Sequence, residues 1–374
     1  QAIWACWLGG LVPTAGAMGQ VRSVCADARD RGCFSAIMYP VRAPEWYVKF
    51  VNGVSGADIH IFPAPEDSLL LLGWINLAVP EKEAAELYYL RGLGGGRSVK
   101  EDSEHEVRSN LGPSQLRCTA RPGRPAQVWP GEVLLWVEDI RQTTDTFNML
   151  GNTLGTDLVI EYTKPTCGGE FALKLHDPPR RNVFVCQEAP RGWAAKLRAI
   201  EHDTSAEETE YPPSKCNGLA ISDVSVGVPS RAIMEGACRF YNHYLMANVR
   251  LPGPSDYFIQ VHFGPGDGLH QTLTFKEDPK TVSYSDLGSI CIYLRTRQKF
   301  HLVYIRAKVS KLLKDPGLAW DDIEQACEFR IRCIADPQSK AEIIPLEHVI
   351  RYASHPECPI HSDQAGVRRS RSQR

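Results

Sequence analysis

Four times along the chain, apolar and polar positions alternate with period two and then give way to a helical spacing. The first instance is "GWINLAVPEKEAAELYYLRGLGGG", residues 73–96. Ile75, Leu77 and Val79 alternate with Asn76 and Ala78, which predicts a strand with one buried face. Pro80 follows where a helix tolerates proline best. Glu81 and Glu83 fall in the first helical turn, where the dipole favours anions. Ala84, Leu87, Tyr88 and Arg91 recur at i, i+3, i+4 and i+7, and Gly92 with the Gly94–Gly96 run predicts the stop.

The second instance is "GEVLLWVEDIRQTTDTFNMLGNTLG", with a strand ending at Val137 and Gly151 closing the helix. "TDLVIEYT" and "VFVCQE" predict strands after it. In the third, Val224, Val226 and Val228 make the strand, and Pro229 with Ser230 opens the helix. Ile233, Ala237, Phe240, Tyr241 and Tyr244 form its apolar stripe. "DYFIQVHF" and "HQTLTFKED" follow, joined by the turn-forming "GPGDG". The fourth is "LGSICIYLRTRQKFHLVYIRAKVSKLL", followed by "CEFRIRCIAD" and "AEIIPLEHVIRY". Each unit reads β-α-β-β-β, and the units start near Trp74, Val133, Val224 and Ile290. Repetition of one supersecondary unit is a stronger signal than any single motif.

The widest interval lies between the second and third units. It contains "EHDTSAEETEYPPSKCNG", a polar, acidic, proline-bearing stretch that reads as a linker. The units therefore group as two plus two: a first domain over 71–190, a linker over 191–216, and a second domain over 217–357. An N-terminal segment of unassigned role covers 1–70 and a basic tail covers 358–374. A lone unit has a helix on one sheet face and nothing on the other. Two units side by side predict a cup, with helices outside.

Composition changes this picture little. The 374 residues suit two or three domains of ~150 residues, and 43% hydrophobic with 23% charged residues is an ordinary globular balance. A formal charge of −2 gives no overall signature for nucleic acid. Only "RRSRSQR" is locally basic, which reads as a solvated tail. The twelve cysteines are scattered without zinc spacing. Cys186, Cys238 and Cys291 lie within apolar patterns and read as buried thiols. "QAIWACWLGGLVPTAGAMGQ" reads as the end of a signal or transit segment, and the compartment stays open between cytoplasmic and organellar. It is too short and interrupted to span a membrane, and no other segment approaches ~20 apolar residues.

The stretches "INLAVPEKEAAELYYLRGLGG", "VSVGVPSRAIMEGACRFYNHYLMANV" and "PLEHVIRYASHP" resemble the vicinal oxygen chelate superfamily, which includes glyoxalase I, extradiol dioxygenases and bleomycin-resistance proteins. They match its strand-proline-helix opening, its aromatic pair late in the helix, and its acidic last strand. The resemblance covers roughly residues 71–357, clearest in the third unit and weakest in the second. It implies an α+β fold, four βαβββ units paired into two cup-shaped half-barrel domains. Members of this superfamily that use a metal commonly hold it by a His or Gln where the first strand begins and a Glu in the closing strand.

Strand alternation decides which residues face the cups. Asp223, Ser225 and Gly227 face inward in the third unit, as do His270, Thr272 and Thr274. Ser289, Cys291 and Tyr293 do so in the fourth, with Glu347, Val349 and Arg351 in its last strand. The strand-start positions hold Trp74, Glu132, Asp223 and Ser289, none of them histidine. Arg117 and Val185 stand where ligands would be wanted in the first half, so the first domain is expected to lack a metal site. In the second, Asp223, His270 and Glu347 form a candidate set for a divalent cation (Mg²⁺, Mn²⁺, Fe²⁺, Zn²⁺ or Ni²⁺). Glu347 is the candidate catalytic ligand or general base, and Ser289, Tyr293 and Thr274 are candidate pocket residues. The competing reading has Asp223 capping a turn, Glu347 paired with Arg351 or Arg295, and His270 solvated. His348 falls on the apolar face and reads as a core histidine. Ser354–Pro356 reads as a chain-exit turn.

Two functions follow. One is metal-assisted lyase, isomerase or dioxygenase chemistry on a small ligand in the C-terminal cup. The other is a ligand-binding or structural member without the metal site. In either case the partner is a small molecule, not nucleic acid or membrane.

Overall fold

All four strand-to-helix openings form. The computed structural model describes residues 69–98, 104–154, 160–163, 172–178, 182–198, 217–264, 270–281, 284 and 287–360. The segment 1–68, most of the linker and residues 361–374 of the tail lie outside the described residues, as does the stretch within "GPGDG". Among the described residues no helix is long and apolar enough to cross a membrane.

In the first unit, β1 (Leu71–Val79) leads into α1 (Lys82–Ala85), which continues as a π-helix over Glu86–Gly92. Strands β2 (Gly96–Arg97), β3 (Glu106–Leu111) and β4 (Ser114–Ala120) follow. The wider π turn shifts the buried face from the expected stripe. Tyr88 and its neighbour Tyr89 are both buried, with Ala85 and Leu90, while Arg91 is exposed. The second unit has β5 (Glu132–Val137), α2 (Ile140–Leu154), β6 (Ile160–Thr163), β7 (Ala172–His176) and β8 (Val183–Glu188); α3 (Trp193–Arg198) follows.

The third unit has β9 (Gly218–Val228), α4 (Arg231–Leu245), β10 (Phe258–Phe263) and β11 (Gln271–Glu277). Among the described residues, two strands follow the helix here rather than three. The intervening chain carries Pro252 and Pro254, which have no ladder donor. Its carbonyls are taken instead by the Arg231 guanidinium, at 2.7 Å for Gly253 and 3.0 Å for Pro252. The fourth unit has β12 (Ser289–Leu294), α5 (Arg297–Val309), α6 (Trp320–Ala326), β13 (Glu328–Ile331), the small pair β14 (Ile334–Ala335) and β15 (Glu342–Ile344), and β16 (Glu347–Tyr352).

The pairing of units differs from the expected two plus two in chain order. One seven-stranded sheet runs β13-β16-β12-β1-β4-β3-β2, so the first unit joins the fourth. The other runs β10-β11-β9-β5-β8-β7-β6, so the second joins the third. Each is an open half-barrel. The seams are antiparallel, β1 on β12 and β5 on β9, and all four units present the same alternation, so the pattern alone cannot choose among partners. Close approach at the seams favours the observed choice. A Cβ on Gly73 would lie 2.4 Å from the Tyr293 ring, and one on Gly131 would lie 2.1 Å from the Ser225 carbonyl oxygen.

The helix-covered faces of both sheets share one core. Tyr88 meets Phe147 of α2 edge-on at 5.2 Å between ring centroids and packs on Phe184 of β8 at 5.8 Å. Cys186, Cys238 and Cys291 are buried free thiols, as expected. His348, on the apolar side of β16, is the core histidine that the alternation predicts. Its Nδ1–H donates to the Leu346 carbonyl at 3.0 Å, so Nε2 accepts from the Tyr241 hydroxyl at 2.7 Å.

Burial pushes the His348 imidazole down to about 3, against an ordinary value of 6.5. The folded chain holds it neutral while the unfolded chain protonates it. Its contribution to stability is therefore full above about 6.5 and is lost progressively as pH falls from there towards 3. His348→Phe is expected to cost about 1–3 kcal/mol at pH 7, because the Tyr241 hydroxyl loses its partner, and to flatten stability against pH across that window. Urea unfolding at stepped pH measures both. A variant as pH-sensitive as the parent would show that the neutral imidazole contributes nothing.

Candidate functional site

The sheet of units one and four carries a polar concave face. On β4, Leu116, Cys118 and Ala120 enter the core, so Gln115, Arg117 and Thr119 point the other way. The same alternation sends Glu106, Arg108 and Asn110 of β3 to that face. Trp74 and Asn76 of β1, Cys291 and Tyr293 of β12, and Glu347 and Arg351 of β16 join them. Arg117 lies over the Trp74 ring, its Cζ 4.6 Å from the centroid. Cation–π contact of this kind is stronger in a desolvated setting.

Three guanidinium groups converge on one carboxylate, that of Glu357. Arg351 Nη1 donates to its Oε2 at 2.6 Å and Arg117 Nη2 donates to the same oxygen at 3.0 Å. Arg108 Nη1 lies 3.6 Å from Oε1. Each arginine also meets a sheet residue: Arg351 Nη2 is 2.6 Å from Glu328, Arg108 Nη2 is 3.1 Å from Glu106, and Arg117 donates to Gln115 Oε1 at 2.8 and 3.0 Å. The Tyr293 hydroxyl donates to the Glu357 carbonyl at 3.0 Å and accepts from Arg351 at 3.2 Å. Burial pushes the Glu357 carboxyl up, but the charges and hydrogen bonds of Arg351 and Arg117 outweigh it and hold the group well below the carboxylate range. Burial and the neighbouring Arg108 cation pull the Arg117 guanidinium downward, against the pull of Glu357.

Glu357 comes from no strand. After β16 the chain turns, with His355 N–H donating to the Tyr352 carbonyl and Cys358 N–H to the His355 carbonyl, both at 2.9 Å. Glu357 N–H donates to His355 Nδ1 at 3.0 Å. Burial, then the Arg351 charge, pushes His355 down to about 4, so it is the neutral acceptor this bond needs. Two donors on the concave face lack a partner among the described residues: Trp74 Nε1, in a residue 5% exposed, and Asn110 Nδ2, in one 4% exposed. At the β13 edge of the network lies a cavity of about 350 Å³, lined by Asp315, Glu328, Arg330 and His355 together with Leu313, Leu318, Ile323 and Phe329.

The residues read from sequence as a metal set are not brought together. Asp223 lies on β9 and His270 just before β11, in the sheet of units two and three. Glu347 lies on β16, in the other sheet. Glu347 also has its own cations, Lys314 Nζ at 2.5 Å and Arg330 at 3.3 Å, rather than Arg351 or Arg295. The Asp223 carboxylate accepts from the Thr272 hydroxyl and, at 2.6 Å, from the Thr274 hydroxyl. Burial pushes its carboxyl up, opposed by those two bonds. His270 Nε2 stands 3.0 Å from Nδ1 of His262, a neighbour not named from sequence. Strand β11 separates His262 from Asp223. Among the described residues no three His, Cys, Asp or Glu side chains form a metal-binding group, and Asp223, His270 and Glu347 do not fit one ion.

Of the pocket residues, Ser289 and Tyr293 share the concave face with the arginines, whereas Thr274 belongs to the other sheet. Arg108, Arg117, Arg351 and Glu357 escape sequence reading as a group. The alternation in "EVRSNL" and "SQLRCTA" does place Arg108 and Arg117 on one face, but nothing local marks Glu357.

No protein-family model matches the chain, and comparison with curated protein sequences finds no match. Among solved structures, a putative dioxygenase from Bacillus subtilis subsp. subtilis str. 168 is 12% identical, over 81% of this chain and 95% of that one, with a TM-score of 0.48. Glyoxalase I from Zea mays is 13% identical, over 75% and 92%, with a TM-score of 0.45. The cppA protein from Streptococcus pneumoniae TIGR4 is 13% identical, over 76% and 98%, at 0.38.

Proposed function

We propose that this protein is a small-ligand-binding member of the vicinal oxygen chelate type that works without a resident metal. Its binding site is the concave face shared by the first and fourth units. One observation carries the reading: a buried face crowded with hydrogen-bond donors, where three arginines meet and the N–H groups of Trp74 and Asn110 find no partner among the described residues. Buried donors without acceptors cost about 1–3 kcal/mol each, so such a face is poised for a ligand that supplies acceptors. The carboxylates of the expected metal set are already engaged by hydroxyls or by cations. That favours the reading without a metal over a catalytic role for Glu347.

The test uses the purified full chain. Elemental analysis is expected to find no stoichiometric metal, and Mn²⁺, Ni²⁺, Zn²⁺ and Fe²⁺ are expected to leave Tm unchanged. In a small-molecule screen, binders are expected to shift the indole N–H resonance of Trp74, assigned by its loss in Trp74→Phe. A stoichiometric metal that raises Tm, or binders that leave Trp74 untouched, would end the proposal.

A further inference from the structure

We infer that the ligand of this concave face is an organic carboxylate, and that Glu357 occupies its place as an intramolecular stand-in. This deepens the reading of the face as a ligand site and rests on it. The charge arrangement points to an exchangeable anion. Within the sheet, among the described residues, Arg108 meets Glu106 and Arg351 meets Glu328, while Arg117 donates to Gln115. The third negative charge comes from the turn after β16. If that turn lifts away, the Arg117 and Arg351 guanidinium groups lose the carboxylate oxygen they share.

The geometry selects a carboxylate. Arg351 and Arg117 donate to one oxygen of Glu357, and Arg108 lies near the other, so both oxygens of a planar, singly charged group are addressed. The unpartnered N–H groups of Trp74 and Asn110 would take a further acceptor on the ligand. A ligand entering this site must displace Glu357. Its apparent affinity is therefore reduced by the fraction of molecules in which the site is open.

The test titrates hexanoate into wild type, Glu357→Ala and Glu357→Gln, following the Trp74 indole N–H and the Arg351 Nε–H resonances. Hexanol, benzamide and inorganic phosphate are the controls. Removing the stand-in is expected to tighten hexanoate binding at least about tenfold in Glu357→Ala, with both resonances shifting to saturation and the neutral controls silent. Equal affinity in wild type and variant, or phosphate binding as tightly as hexanoate, overturns the inference. Should Glu357→Ala not fold, hexanoate but not hexanol is expected to raise the Tm of Glu357→Gln, and no rise overturns it equally. The two readings fail separately. If other compounds shift Trp74 but carboxylates do not, only the carboxylate falls. If nothing shifts Trp74, the ligand site falls with it.

Discussion

Replacing Arg351 by methionine is expected to lower stability by about 3–5 kcal/mol. The residue is 7% exposed and holds two carboxylates, Glu328 at 2.6 and 2.7 Å and Glu357 at 2.6 Å. Methionine fills a similar volume but leaves both anions short of a cation in a desolvated site, where the penalty is the desolvation of the unpaired charge. Arg117 and Arg108 remain near Glu357, so the damage centres on Glu328. The loss is read from urea unfolding at pH 7. Adding Glu328→Gln to the Arg351→Met background removes the stranded charge and is expected to recover part of it.

The pH dependence follows from the same network. Glu357 is held well below its ordinary value of 4.5, so its stabilising contribution is full above about 4.5 and is lost as pH falls below that. Arg351→Met is expected to weaken that acid sensitivity. A loss under about 1 kcal/mol would mean that the guanidinium behaves as an exposed surface ion pair, which is worth little.

Gln271→Leu is expected to cost about 2–5 kcal/mol through a different mechanism. Gln271 is 0% exposed. Its Oε1 accepts from the Leu72 main-chain N–H at 3.0 Å, and its Nε2 donates to Ser114 Oγ at 2.7 Å and to the Ile221 carbonyl at 2.8 Å. The ladder between β1 and β12 slips between Leu72 and Trp74, and that between β5 and β9 slips between Leu134 and Leu135, opposite Ile221. Slips free main-chain groups from the ladder. A single side-chain amide satisfies groups from both sheets. Leucine keeps the volume and removes every partner. Amide exchange is expected to accelerate at Leu72 and its neighbours, beyond the drop in global stability by denaturant. A variant as stable as the parent would mean that water or relaxed backbone takes over these bonds.

The alternation of Val224, Val226 and Val228, and of Ile290, Ile292 and Leu294, was enough to predict four repeated units and an α+β fold of two half-barrels. It also fixed which side of each strand turns away from the helices, because successive side chains must point oppositely. On that ground Ser289 and Tyr293 turn away from the core and His348 turns into it. Periodicity was less sure where a helix was irregular. The π turn in Glu86–Gly92 buries both Tyr88 and Tyr89, which a 3.6-residue stripe does not predict.

The choice of partners belonged to the tertiary structure alone. Any two units could form a seam by their alternation, and long-range packing decided it: Gly73 leaves room for Tyr293, and Gly131 lies close against Ser225. That choice separated Glu347 from Asp223 and His270. It also set Arg117 of the first unit beside Arg351 of the fourth. Glu357 joins them from an irregular turn, where no period governs the side chain. Sequence determines the direction in which a side chain leaves its strand, since that is a local property of the backbone. Which charges it then meets depends on contacts between segments hundreds of residues apart, and only folding brings those together.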